Sequence, residues 1–164
     1  MTRVGAAASE PVGLVEATPA HVLQMTGWFP SAESCHVWGG PEFRFPFTAE
    51  SFRADCHLEL PSFALLDAGG TLCGFGQYYL RAGRCHLARL VIAPAHRGRG
   101  FGTRLIELLA QAGQAALGVT GCSLFVSAAN SSALALYRRL GFTPARYPGD
   151  HGLPLPAGSY YMVR

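Results

Sequence analysis

The chain contains no lysine; all 13 of its basic residues are arginine. A phosphate-binding loop of the Gly-x-x-x-x-Gly-Lys-Ser/Thr type is thereby excluded, because it needs that lysine at the phosphates. Asparagine occurs only at Asn130 and isoleucine only at Ile92 and Ile106, a bias that marks GC-rich, bacterial coding rather than a functional constraint. The five cysteines (Cys35, Cys56, Cys73, Cys85 and Cys122) are odd in number and include no Cys-x-x-Cys pair. A zinc site or a disulfide framework is therefore not expected, nor any other metal; reduced core thiols are the plain reading. A thiol nucleophile at Cys85 stays open as an alternative. Charged residues are few, at 14%, against 49% hydrophobic, which excludes a disordered chain. No apolar run is long enough to span a bilayer, and residues 1–13 lack the apolar core of a secretory signal. A cytoplasmic protein without a membrane partner is expected, with residues 1–11 as a flexible tail and 12–164 as one domain.

What the chain does have is glycine in a telling place. Residues 97–102 read Arg-Gly-Arg-Gly-Phe-Gly. An apolar strand pattern over 85–93 leads in through Pro94-Ala95-His96, and an apolar helix pattern over 101–116 leads out. Glycines let backbone approach a ligand closely, and the first N–H groups of a helix lack partners. With the helix dipole they make a site for a phosphate or pyrophosphate. A dinucleotide fingerprint is excluded, since Thr103 stands where its last glycine belongs. The net charge of +3 needs no nucleic-acid partner once Arg97, Arg99 and Arg104 attend a pyrophosphate.

The pattern Arg-x-x-Gly-x-Gly after a strand ending Val-Ile-Ala-Pro resembles the coenzyme A signature of the GCN5-related N-acetyltransferases. A second segment agrees. Asn130-Ser-Ser-Ala-Leu-Ala-Leu-Tyr137-Arg-Arg-Leu-Gly141-Phe142 resembles that family's later motif, a helix that carries a tyrosine and ends at Gly-Phe. Read locally, Asn130 or Ser131 can cap this helix and Gly141 can stop it. The resemblance runs over residues 12–164, although only the two motifs are specific.

The remaining pattern predicts a strand at 12–17, a helix from Pro19 to Trp28, an irregular aromatic stretch at 30–47 and a helix at 49–57. A hairpin of 62–67 and 72–80 follows, then the strand at 85–93 and its helix. Strand 122–128, helix 131–140 and strands 142–147 and 158–163 complete the chain. This order predicts a mixed α/β fold, with helices flanking a mostly antiparallel twisted sheet of six to seven strands. In the family it resembles, the fourth and fifth strands, here 85–93 and 122–128, splay apart to admit the pantetheine arm.

Acetyl transfer from a thioester to an amine needs a neutral amine, a donor for the oxyanion and a proton for the departing thiolate. The resemblance gives the proton-donating role to Tyr137, with simple packing as the alternative. It puts His86 where related enzymes often hold a glutamate, making it the candidate general base; a half-buried structural histidine, or a water chain in its stead, are the alternatives. Acetyl-CoA would be held by the backbone of Leu90, Val91 and Ile92 and by Arg97, Gly98, Arg99, Gly100, Phe101, Gly102 and Thr103. Asn130 and Tyr137 would add to that set. Arg89, interior to its strand, could face solvent.

The acceptor is less legible. Trp38, Phe45 and Tyr78 are the candidate substrate-binding residues, with Phe43 and Tyr79 beside them and Glu33 or Glu42 to attract a cationic amine. Residues 147–158 are long for a last hairpin and are expected to border the acceptor or a subunit contact. A small-molecule or peptide amine is the expected partner, in a monomer or homodimer. A non-catalytic acyl-CoA sensor would keep the glycine turn and need no Tyr137. An RNA-binding module would need a basic stripe that the chain lacks.

Overall fold

Thr18, Ser31 and Thr48 each open a short helix in the same way. Each stands in extended backbone and accepts from the N–H three residues on, and the side chain of that residue (His21, Ser34 or Ser51) returns the bond to the cap. In the computed structural model, which describes residues 11–149 and 154–164, they start α1 (Pro19–Met25), α2 (Ala32–Gly39) and α3 (Ala49–Asp55). Helix α2 corrects the irregular stretch expected at 30–47. Its signal is weak because Cys35 is its one buried residue and Ser34 takes the place usually held by Glu or Gln in a capping box.

The strands are β1 (Pro11–Glu16), β2 (Ser62–Asp67), β3 (Leu72–Arg81), β4 (Arg84–Ile92), β5 (Cys122–Ser127), β6 (Thr143–Pro144) and β7 (Ser159–Val163). They form one sheet in the order β1-β2-β3-β4-β5-β7-β6. Every pairing is antiparallel except β4 with β5, as the expected mixed sheet requires. Strand β6 is shorter than the expected 142–147; past Ala145 the chain leaves the edge and packs Tyr147 against Phe125 and Tyr161. Of the expected tail, residues 1–10 lie outside the described residues and Pro11 opens β1. Residues 150–153 of the segment 147–158 also lie outside them.

Helix α4 (Phe101–Leu117) follows β4, and α5 (Ser131–Arg139) follows β5. Helix α4 buries Phe101, Leu105, Ile106, Leu109, Ala110 and Gly113, the stripe of a 3.6-residue period. Each large side chain there is worth roughly 1.5–3 kcal/mol. Gly113 lets the helix lie close to the sheet, since a Cβ there would run into Cys85 Sγ and Tyr78. Cys85, Leu87, Leu124 and Met162 face this helix layer. The opposite face carries a second core in which Val22, Met25, Phe29, Phe43 and Phe52 from the first helices and their connections cover Ala64, Phe75 and Val91. None of the described helices is long and apolar enough to cross a membrane.

Candidate active site

The anion turn is built from the end of β4. A single 3-10 turn, Pro94–His96, carries the chain to the glycines. Arg97 Nε donates to the Ile92 carbonyl at 3.1 Å and folds the turn back on the strand. His96 lies edge-on to Phe101 and within 3.5 Å of Asp67, tying the turn to the β2–β3 hairpin. Gly98 and Gly100 take φ of 74° and 83°, where most side chains are excluded. A Cβ at either would meet nothing within 4 Å. The conformation, not crowding, calls for glycine, and the space above the turn is open.

Gly100 caps α4 without any side-chain hydrogen bond, and the first turn holds no acidic residue. The N–H groups of Phe101, Gly102 and Thr103 therefore stand free at the positive end of a 17-residue helix. Arg99 and Arg104 are exposed beside it. Cations at that end cost about 0.3–1 kcal/mol each unless an anion offsets them. These features fit a pyrophosphate.

The sheet opens next to this turn. Strands β4 and β5 pair only from Cys85↔Cys122 to Leu87↔Leu124. Beyond Leu87, β4 is held by β3 alone: Val91 is in register with Phe75, and Ala93 N–H donates to Cys73 at 2.9 Å. Backbone groups alternate along a strand, so those of Leu90 and Ile92 turn into the gap. Those of Val91 turn to β3, which corrects the expectation for that residue.

Helix α5 flanks the same gap. A Cβ on Gly102 would press on Leu136 at 3.2 Å, so α5 sits against the start of α4. Asn130 caps α5, its Oδ1 accepting from Ala133 N–H at 3.3 Å. That uses the oxygen and leaves its two N–H donors for a ligand. Tyr137 is half-buried and edge-on to Phe142. Burial pushes its phenol up to about 12, above the ordinary value of about 10, so it holds its proton throughout the working range.

The face away from α4 differs from expectation in several places. His86 is 1% exposed, with Nδ1 2.8 Å from Ser123 Oγ and the rings of Tyr79 and Phe125 at 5.2 and 4.6 Å. Burial, with the charge of Arg81 second, pulls its pKa down to about 3. It is a neutral core histidine with little basicity, one residue short of the last β4–β5 pair. Tyr78 is buried on the opposite face, stacked on Phe63 and packed against Gly113, and so does not share a face with Trp38. Trp38 stacks on Phe29 and Phe52, Phe43 is core at 2% exposure, and Phe45 packs edge-on to Phe47. Glu33 and Glu42 are exposed. Cys85 is buried toward α4, where the hydrogen-bonded Cys122 thiol, and then burial, push its own thiol up, so it offers no thiolate.

Residues that the sequence pattern did not single out, or placed elsewhere, gather on this face. Strand β4 has a bulge between the Phe75↔Val91 and Gln77↔Ala88 pairs, and Arg89 there takes φ of 47°, a strain of about 1–2 kcal/mol for a side-chain-bearing residue. The bulge turns Arg89 inward: Nη1 donates to Gln77 Oε1 at 2.9 Å, so it does not simply face solvent. Arg81 lies over the rings of Tyr79 and Phe125 and donates to the Tyr79 hydroxyl at 2.8 Å. Alternation along β3 aligns Gln77, Tyr79 and Arg81 and could have found these; nothing in the sequence marks the bulge.

Residues 32–142, two thirds of the chain and including both motifs, match the model of the acetyltransferase (GNAT) family. The chain belongs to that family. A mycothiol acetyltransferase of Clavibacter michiganensis is 37% identical over 91 residues, a stretch covering 52% of this chain and 28% of that protein. This chain thus spans well under half of that relative. Among solved structures, an aminoglycoside acetyltransferase in complex with coenzyme A and kanamycin superimposes with a TM-score of 0.70, at 18% identity over 93% of both chains. Spermidine N-acetyltransferase from Vibrio cholerae, in complex with CoA and spermine, gives 0.67 at 17% identity, over 92% of this chain and 93% of that one. The ribosomal-protein-S18-alanine N-acetyltransferase of Escherichia coli gives 0.62 at 20%, over 92% and 90%. At these identities the likeness is one of fold.

Proposed function

We propose that the chain acetylates a primary amine, of a small molecule or a peptide, by direct attack on acetyl-CoA in a ternary complex. The observation that carries this reading is the placing of an uncapped glycine turn, a strand gap and the Tyr137 helix around one opening. Helices α4 and α5 cover one face of the sheet on both sides of the gap, which leaves a second reactant the part of the other face that the first helices do not cover. The fold relatives named for spermidine, aminoglycosides and a ribosomal-protein alanine support an amine as that reactant.

The amides at 101–103, with Arg97, Arg99 and Arg104 around them, bind the pyrophosphate. The backbone of Leu90 and Ile92 and the Asn130 side chain orient the pantetheine arm. One of those strand amides serves the oxyanion as the N–C bond forms. As the C–S bond breaks, Tyr137 donates a hydrogen bond to the departing sulfur. Full proton transfer from a phenol near 12 to a thiolate near 8.5 would run uphill by roughly 5 kcal/mol, so stabilisation by that hydrogen bond is the role assigned. His86 is too buried and too weakly basic to take the amine proton, which passes to water. The protein works as a monomer or homodimer.

Calorimetric titration with acetyl-CoA, followed by release of CoA thiol with a panel of amines, tests this reading. Saturable binding at one site per chain and amine-dependent thiol release are expected. Binding without release from any amine would favour an acyl-CoA sensor, and no binding would defeat the donor site.

A further inference from the structure

Among the described residues, two arginines on the face away from α4 have no acid to answer them. Among the described residues the ion pairs are Arg44–Asp55, His57–Glu59 and His96–Asp67; no carboxylate lies within 4.0 Å of Arg81 or Arg89. Glu59, the acid that feels the charge of Arg89, is exposed and bonded to His57. Arg89 is half-buried, and its Nε is fully buried without a partner. Its one bond is to Gln77, itself fully buried and fixed through Nε2 to the Cys56 carbonyl and the Ser62 hydroxyl. The guanidinium is thus aimed, at the cost of a strained bulge. A third donor stands close by. Trp38 Nε1 is buried and unpartnered, and its indole stands edge-on to Phe75 at 6.3 Å, one same-face step along β3 from Gln77.

Buried donors without acceptors are destabilising unless a ligand completes them. A face that presents Arg89, the Trp38 N–H and Arg81, and pairs none of them with a carboxylate, repels a polyamine. We infer that the acceptor amine carries a carboxylate that docks on Arg89, so that the enzyme acetylates an amino acid or similar amino-carboxylate. A planar carboxylate matches the guanidinium fork in two parallel bonds. The inference rests on the transferase reading above and narrows its substrate class.

The test uses amines matched with and without the acid group: phenylalanine against phenethylamine, lysine against 1,5-diaminopentane, and phosphoethanolamine against ethanolamine. The expected result is that kcat/KM favours at least one carboxylate-bearing member over its partner by about tenfold or more. That ratio should fall toward one in Arg89→Gln, with Arg81→Gln giving a smaller loss, while calorimetry shows acetyl-CoA binding unchanged in both. Preference for the decarboxylated partners, or no carboxylate-bearing amine turned over while acetyl-CoA still binds, overturns the inference and leaves the donor site standing. A preference confined to phosphoethanolamine overturns the carboxylate assignment. Loss of acetyl-CoA binding in the wild-type protein defeats the transferase reading and the inference with it.

Discussion

The two sides of this sheet are put together differently. On the proposed donor side the groups are neighbours in sequence: Arg97 to Thr103 form one turn, and what it offers a ligand is backbone N–H groups. On the proposed acceptor side Trp38, Gln77, Arg81, Arg89, Phe125 and Tyr147 come from α2, three strands and a loop, and the groups on offer are side chains. The donor side needs a local conformation, and the acceptor side needs strand register. Substitutions that act on one and spare the other are therefore the sharpest way to probe the molecule.

The largest separation should come from Gly100→Asp. Aspartate enters the left-handed region more readily than most residues and can itself cap α4, so the fold should survive. Its carboxylate would occupy the N–H groups and oppose the pyrophosphate. Acetyl-CoA affinity measured by calorimetry should fall at least about a thousandfold, since several charge-assisted bonds are lost together. Gly100→Ala, which adds only strain, should cost far less.

Tyr137→Phe comes next. It should lower turnover about a hundredfold or more while acetyl-CoA binding stays near wild type, because the hydroxyl is asked to act only when the sulfur departs. The pH profile sharpens the point. With the phenol near 12, the wild-type rate should rise as the amine deprotonates and show no alkaline fall by pH ~10. A fall below that would mean the phenol is not held up by burial.

That asymmetry also explains what the sequence made legible. The strand, the glycine turn and α4 follow from periodicity and from residues whose backbone behaviour is nearly unambiguous, and the Asn130–Phe142 segment follows by the same logic. Strand patterns gave the mixed sheet. Helix α2 escaped because its cap uses Ser34 and because only Cys35 is buried. Tyr78 was misplaced because a strand buried on both faces, as β3 is from Leu72 to Tyr78, carries no alternation to say which side chain looks which way. The facing of Arg89 stayed open because a bulge shifts facing by one residue and leaves no compositional mark. His86 was assigned by analogy of position, and its burial against Ser123 and Phe125 depends on β5, which the local pattern cannot weigh.

His86 should therefore affect stability rather than the rate profile. Its folded pKa of about 3 lies below the unfolded value of about 6.5, so between those values the unfolded chain binds a proton that the folded one refuses. The resulting contribution is complete above pH ~6.5 and is lost as pH falls toward 3, on the order of a few kcal/mol. Urea unfolding at pH 7 and pH 4 should show that loss in the wild type and a smaller one in His86→Gln. The variant's rate profile should keep its shape near neutrality; disappearance of an acid limb there would restore His86 as the base.

The smallest effect tests whether the two sides are as separate as their construction implies. Ser31 caps α2, the helix that presents Trp38, and its hydroxyl accepts the Ser34 N–H at 3.1 Å. Ser31→Ala should cost about 1 kcal/mol of stability, a few degrees in Tm. Because α2 supplies nothing to the glycine turn, acetyl-CoA affinity should not move, while loosening of α2 should raise KM for the amine by a factor of about two to five, as a fraction of that free energy permits. Equal weakening of both ligands would show that the aromatic core beneath α2 couples the acceptor face to β4 through Phe75 and Val91, and the division drawn between the two sides would then hold for their assembly but not for their energetics.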